Sequence, residues 1–333
     1  MTDAVSFVVP RGLDDPARVS GGNVYDRQVR DGLLRTGWRV RTVEVDPAQA
    51  RGALEAEPDG ALVLVDGLVA GASAAAIEDA SARLRIVVLA HMVSSAFPQP
   101  DPAAAEGERR AVRAARAVIA TSEWTAAQLD RDDVAVAAPG VAPATVASGT
   151  QDGGALLCVG VLAPHKGQDV LVTALAELTG IPDWHCTLAG ATDADPAFVD
   201  DLRDRLQDAG LRERVELAGV CTADELDRRY DGTDLLVAPT RVEAYGMVVA
   251  EAQARGIPVL ASGVGGVPEA VADDAALLVP PGDAGALADA LRQWMTDPDL
   301  RGRLTTAARR ARPLRRGWDT TVARVSDALA GVP

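Results

Sequence analysis

Short apolar runs that stop at a loop and continue into a helix recur along this chain, and no other feature restricts its fold as strongly. Residues 234–255 show one such unit complete. Asp234-Leu235-Leu236-Val237-Ala238 has strand composition, and Pro239 stops it by removing a ladder donor. Residues 247–255 then have helix-forming composition, ended by Gly256 and Pro258. Further strand-like runs lie at residues 5–10, 61–65, 85–90, 118–121, 155–160, 184–189 and 258–261. Strands that are apolar throughout are covered on both faces, as in parallel sheets flanked by helices. The pattern predicts the α/β class. At 333 residues the chain is long enough for two domains, each with its own core. Residues 142–154, rich in Ala, Thr, Gly and Ser, read as the linker between them.

The loop of the unit at 234–255 carries chemistry. It reads Thr240-Arg241-Val242-Glu243-Ala244-Tyr245-Gly246, and the helix that follows opens Met247-Val248 and carries Glu251. The first turn of such a helix has unpaired N–H groups and the positive end of the dipole, so it attracts a phosphate. Gly246, without a Cβ, lets backbone approach an anion. Glu243 and Glu251 are placed to accept hydrogen bonds from hydroxyls on either side. One anion site between two hydroxyl acceptors fits a nucleotide sugar, with the sugar on one flank and the ribose on the other.

These residues resemble the E-x7-E signature of glycosyltransferase family 4. Glu243 and Glu251 enclose Tyr245-Gly246, and Gly256-Ile257-Pro258-Val259 and Ser262-Gly263-Val264-Gly265-Gly266-Val267-Pro268-Glu269 follow. The resemblance implies a bacterial-type retaining enzyme of GT-B fold, two Rossmann-like domains with parallel sheets facing across a cleft. It implies an acceptor-side domain over 1–145 and a nucleotide-sugar domain over 150–317, with a last helix over about 318–333 packing back on the first. It further implies that Glu243 contacts the donor sugar and Glu251 the ribose, with the backbone of Ala244, Tyr245, Gly246, Met247 and Val248 on the diphosphate. The turn at Gly219-Val220 would receive the base.

Two further segments extend the resemblance. Val159-Gly160-Val161-Leu162-Ala163-Pro164-His165-Lys166-Gly167 is similar to the family's V-G-R-L…K-G loop, whose lysine meets the diphosphate. Of 33 cationic residues Lys166 is the sole lysine. Val161 stands where the family has an arginine, so one phosphate-pairing cation is missing unless His165 or a distant arginine replaces it. His91 ends the strand-like run at 85–90, where ligands gather in open α/β sheets, and the family places a histidine beside the reacting sugar there. Ser20-Gly21-Gly22-Asn23 opens a helix over 24–34; an ordinary turn and a phosphate-facing helix start both fit it. The family supports the second, which makes Gly21 and Gly22 donor contacts and Asn23 and His91 acceptor contacts.

Other classes are excluded or demoted. A net charge of −15 argues against nucleic acid or an anionic membrane as the main partner. No apolar run reaches the ~18 residues of a membrane helix, and no leader is evident, so a cytoplasmic location is expected. Cys158, Cys186 and Cys221 are far apart and odd in number, which fits reduced core residues. Arg109, Arg110, Arg113 and Arg116 on a helix over 106–117 read as a solvated face. Asp193-Ala194-Asp195 spells a metal-binding D-x-D, but Pro196 follows, and Asp195 is read as a helix N-cap. No metal and no cofactor are expected.

The expected activity is transfer of a sugar from a nucleoside-diphosphate sugar to a small-molecule acceptor, without metal, by attack on the leaving-group face. Glu243, Lys166 and His91 would be the catalytic group. The alternatives are a catalytically silent nucleotide-sugar-binding protein and a GT-B sugar-nucleotide epimerase. An inverting enzyme would show a histidine near the first strand, and residues 10–25 contain none. Donor base, donor sugar, acceptor and oligomeric state are not legible.

Overall fold

A computed structural model describes residues 3–16, 18, 20–97, 99–150 and 152–333. The chain divides into two compact units, one of Met1–Gly140 with Arg316–Pro333, the other of Val141–Arg315.

The first unit is built on six parallel strands: β1 (Ala4–Pro10), β2 (Arg39–Val45), β3 (Leu62–Asp66), β4 (Arg85–Ala90), β5 (Ala117–Ala120) and β6 (Val134–Val136). Their order across the sheet is β2-β1-β3-β4-β5-β6. The inner strands β1, β3 and β4 are largely apolar because both faces are covered; Phe7, Val8, Val9, Val63, Leu64, Val65, Ile86 and Val87 are wholly buried. The order reverses beside β1, which makes the carboxyl ends of β1, β3 and β4 the place where this sheet can hold a ligand. Asp66 is the last residue of β3, and His91 follows β4 directly.

The helix Trp318–Ala330 belongs to this unit. It lies so close to the helix Gly21–Arg35 that a Cβ on Gly32 would fall 2.2 Å from Val322 Cγ2. Trp38 Nε1 donates to Ser326 Oγ at 2.9 Å, and Thr321 Oγ1 donates to the Ala138 carbonyl at 2.8 Å.

The second unit repeats the plan with β7 (Ala155–Val159), β8 (His185–Ala189), β9 (Val215–Gly219), β10 (Leu235–Ala238), β11 (Val259–Ser262) and β12 (Ala276–Val279), in the order β12-β11-β10-β7-β8-β9 and all parallel. Trp184 and Trp294 are buried in its core, and each indole satisfies its N–H on a carbonyl, of Leu178 and Gly153 respectively. Here the reversal falls between β7 and β10, which pair with each other. The loops carrying Lys166 and Glu243 leave those two strands at their carboxyl ends.

Helix starts differ from the sequence reading for local reasons. Ser20 Oγ accepts from the Asn23 N–H, so the first helix begins at Gly21 rather than 24. The arginine-bearing helix is Pro102–Ala114, four residues earlier at its start than the 106 expected, because Asp101 caps it and Pro102 fits its first position. It ends three residues earlier than the expected 117, because Ala115 is extended. Its arginines pair outward, Arg109 with Glu106, Arg110 with Glu78 and Arg113 with Asp130. Asp195 does cap its helix, accepting from the Phe198 N–H at 3.0 Å. Two short helices, Gly67–Ala72 and Ala74–Ala80, were not legible; Asp66 caps the first by accepting from Leu68 and Val69 N–H. All three cysteines are free thiols, and burial pushes Cys158 up to about 12. No helix among the described residues is long and apolar enough to cross a membrane.

Candidate functional site

In the second unit two of the predicted donor residues, Lys166 and Glu243, meet. Pro164–Lys166 form a single 3-10 turn closed by Gly167 at φ +72°. A Cβ on Gly167 would fall 2.0 Å from the Pro239 carbonyl, so only glycine lets the two loops meet. From that contact Lys166 Nζ reaches Glu243 Oε2 at 2.7 Å, with the two side chains 20% and 12% exposed. Each is shielded enough for the interaction to matter and open enough for a ligand to reach it.

Arg241 holds the same two loops together. Its backbone N–H donates to the His165 carbonyl at 2.8 Å, and its guanidinium donates to the Pro164 carbonyl at 2.6 Å. Both terminal nitrogens then grip Asp169, each at 2.7 Å, in a bidentate pair. A third loop cradles Glu243 from behind. Gly266 N–H donates to the Glu243 carbonyl at 3.0 Å, and a Cβ on Gly265 would lie 1.9 Å from that oxygen.

Gly246, at φ +98°, is the N-cap of the helix Met247–Ala254 and offers no side chain to its free N–H groups. Glu251 lies on this helix. Its Oε2 accepts from Tyr230 O–H at 3.0 Å, burial raises its pKa, and the Arg255 guanidinium stacks 4.5 Å from the Tyr230 ring. Val220 follows the turn at Gly219 (φ +70°) and is exposed.

Neither His165 nor Arg241 stands in for the arginine missing at Val161. Val161 accepts only through its carbonyl, from Gln168 Nε2. Burial, then Lys166, lowers the His165 pKa, which leaves that imidazole neutral near pH 7. The Arg241 guanidinium is committed to Asp169.

In the first unit the structure brings together Gly22 and His91, with two carboxylates that sequence reasoning did not single out. A Cβ on Gly22 would sit 3.8 Å from His91 Cδ2. His91 Nε2 lies 2.8 Å from Asp26 Oδ1 and 3.3 Å from Asp66 Oδ2. Tyr25 packs edge-on against the imidazole, ring centroids 5.1 Å apart, and its O–H donates to the Ala137 carbonyl. Burial works against charge on His91, but the Asp26 and Asp66 carboxylates outweigh it and carry the imidazolium up to about 10. Burial pushes Asp26 up to about 6, with His91 pulling the other way. The two carboxylates thus favour the charged form of the imidazole. Asn23 is turned onto its own loop, its Nδ2 donating to the Arg18 carbonyl.

One potential ligand atom from each of Asp26, Asp66 and His91 lies within 4.8 Å of the other two, close enough for a metal. Yet the Nε2–Oδ1 separation is that of a hydrogen bond, and Asp66 Oδ1 already accepts from two backbone N–H groups. Asp26 carried no warning in the sequence, where a carboxylate on a helix reads as a solvated charge. The one signal available was its place five residues after Gly21, on the buried side of the helix marked by Tyr25 and Val29.

Residues 149–311 match the family described as glycosyl transferases group 1. The D-inositol 3-phosphate glycosyltransferase of Kineococcus radiotolerans is 34% identical over 257 residues, covering 67% of this chain and 59% of that protein. The chain thus spans less than two thirds of that relative's length. Sucrose-phosphate synthase from Thermosynechococcus elongatus is similar in structure, with a TM-score of 0.80 and 21% identity over 98% of both chains. Anabaena Alr3699/HepE in complex with UDP-glucose gives a TM-score of 0.78 at 18% identity, over 98% of this chain and 99% of that one. At such identities the likeness is one of fold, and it bears out the GT-B class.

Proposed function

We propose that the chain, whose residues 149–311 match the group 1 glycosyl transferases, transfers a sugar from a nucleoside-diphosphate sugar to a small hydroxyl-bearing acceptor, with retention at the anomeric carbon. The observation that supports this most is the 2.7 Å contact between Lys166 and Glu243. It sets a cation and a hydroxyl acceptor side by side, next to a helix start whose N-cap is glycine.

In this reading the departing diphosphate meets charge that is already in place. Lys166 Nζ and the first-turn N–H groups of Met247–Ala254 receive it, and preorganised donors of this kind usually contribute more to rate than any other single effect. Lys166 has three donors, so it can keep Glu243 oriented while it binds phosphate oxygen. Glu243 accepts from donor-sugar hydroxyls, Glu251 from the ribose, and the exposed turn at Val220 takes the base. His91 binds sugar hydroxyls as a donor. The acceptor attacks on the leaving-group face, and a diphosphate oxygen takes its proton as the new glycosidic bond forms and the old bond to phosphate breaks. The positive charge comes from the protein, so the reading requires no metal ion.

Incubating the chain with UDP-, GDP- and ADP-sugars and following release of free nucleoside diphosphate tests this. Slow release with one donor, faster with an acceptor and lost in Glu243→Ala, is the expected result. Val161 favours a second reading, a nucleotide-sugar-binding protein without turnover, since it leaves one cation where two are expected. Tight donor binding with no release would select that second reading.

A further inference from the structure

Among the described residues, His91 is held through Nε2. Nε2 lies between Asp26 Oδ1 at 2.8 Å and Asp66 Oδ2 at 3.3 Å, both on the inner side of the ring. The Cδ2 edge faces Gly22, and Tyr25 closes the ring from another side. The imidazole is 16% exposed, so one part of it still reaches the surface of its unit, whereas Asp26 is only 1% exposed. Asp26 Oδ2 has no hydrogen-bond partner among the described residues. A buried carboxylate with an unpaired oxygen is costly, and the adjacent imidazolium is what compensates it.

The two carboxylates are not equivalent. Asp66 has a structural duty, because its Oδ1 caps the helix Gly67–Ala72 through Leu68 and Val69 N–H. Asp26 makes no such cap; its hydrogen bond goes to His91. Among the described residues, the charged and titratable groups around the ring are Asp26 from the first helix, Asp66 from the end of β3, and the Tyr25 phenol, with Arg27 acting on Asp26. Thr121 Oγ1, which donates to the His91 carbonyl at 3.4 Å, is neutral.

We propose that Asp26 is a positioning residue. It pins Nε2–H of His91 inward, so that His91 meets its ligand through Nδ1–H, as a fixed charged donor to a sugar hydroxyl or phosphate oxygen and never as a base. The role of His91 toward a sugar rests on the function proposed above; the state of the ring does not. Removing the Asp26 charge leaves Asp66 alone to offset burial, so the imidazole loses its proton at a lower pH than in the parent. A donor that must be charged then disappears as pH rises.

The test reads the ring and the reaction separately. The chain has three histidines, so long-range 15N–1H spectra resolve each imidazole, and His91→Gln assigns the one of interest. From pH 6 to 9 the parent His91 should show both nitrogens protonated. In Asp26→Asn it should titrate below pH 8. Donor turnover in that variant should fall about tenfold at pH 6, the kinetic equivalent of one charge-assisted hydrogen bond, and further toward pH 9, with the KM for donor within about twofold of the parent. Asp26→Glu, which keeps the charge, should recover the flat pH profile.

A parent His91 that titrates near 6.5, or an Asp26→Asn pH profile parallel to the parent's, overturns the proposal. So does loss of Nε2 protonation on adding Zn2+ or Mn2+, which would make the group a metal site. If Asp26→Asn does not fold, the parent spectra alone decide. An absence of transferase activity overturns the function proposed above and leaves the spectroscopic result standing.

Discussion

Lys166 and Glu243 are 77 residues apart in the chain, and their side chains meet at 2.7 Å. The contact follows from topology. The strand before each loop, β7 for Lys166 and β10 for Glu243, is the other's neighbour at the point where strand order reverses. Glycines at 167 and 265 then let three loops pack backbone to backbone around the pair.

Lys166→Ala should weaken donor binding by about 1.5–3 kcal/mol, the range for a hydrogen bond to a charged group. Glu243→Ala should lower turnover roughly 100-fold, as for loss of a preorganised contact. The two changes share one interaction, so their effects should not add in the double variant. A double-mutant cycle on donor turnover measures this, and strict additivity would show that the ion pair plays no part in the reaction.

Asp169→Asn breaks the bidentate grip on Arg241, which ties the Lys166 loop to the Glu243 loop. The pair is partly exposed, so its effect on global stability should stay within about 1 kcal/mol. The KM for donor should rise several-fold, because a slackened loop places Lys166 poorly. Arg241→Lys should behave in the same way, since an ammonium cannot reproduce the fork. Steady-state kinetics beside chemical denaturation separate the two effects.

Tyr230→Phe deletes the O–H that Glu251 accepts, leaving a buried carboxylate short of a donor. The expected cost is about 1–3 kcal/mol in stability. The Glu251 pKa, already raised by burial, should rise further. Nucleotide affinity, measured by calorimetry, should therefore fall more steeply in this variant than in the parent as pH is lowered.

Stability should fall as pH rises above neutrality. His91 is carried up to about 10 in the folded chain, burial being outweighed by Asp26 and Asp66, whereas an unfolded histidine titrates near 6.5. Between those values the folded state holds a proton that the unfolded state has lost. The contribution is complete below about pH 6.5 and is lost progressively toward pH 10, at no more than about 1.4 kcal/mol per pH unit. Asp26, pushed up to about 6 by burial, acts in the same direction between about pH 4 and 6. Denaturation midpoints at pH 7 and 9.5 should differ in the parent and converge in His91→Gln.

Strand positions were legible because a parallel strand covered on both faces is written as an unbroken apolar run, as in Leu62–Asp66 and Leu235–Ala238. Helix starts were less so, since Ser20, Asp66 and Asp101 act through one or two local hydrogen bonds that no periodicity records. The spacing of Glu243 and Glu251 is a local property, and the sequence by itself carried it. What Glu251 leans on did not show, because Tyr230 reaches it from a separate helix.

The same division holds at the two charged groups. Sequence alone determined which residue types are present: a single lysine in a glycine-flanked loop, a carboxylate before a helix start, a histidine closing a strand. Tertiary structure decided which of them touch, and with that their charge. A carboxylate on a helix is ordinary until a sheet edge brings His91 against it, and then burial and a 2.8 Å hydrogen bond set the protonation of both. Local composition acts over a few residues, whereas Asp26 and His91 are 65 apart and meet only because parallel strands deliver their loops to one edge.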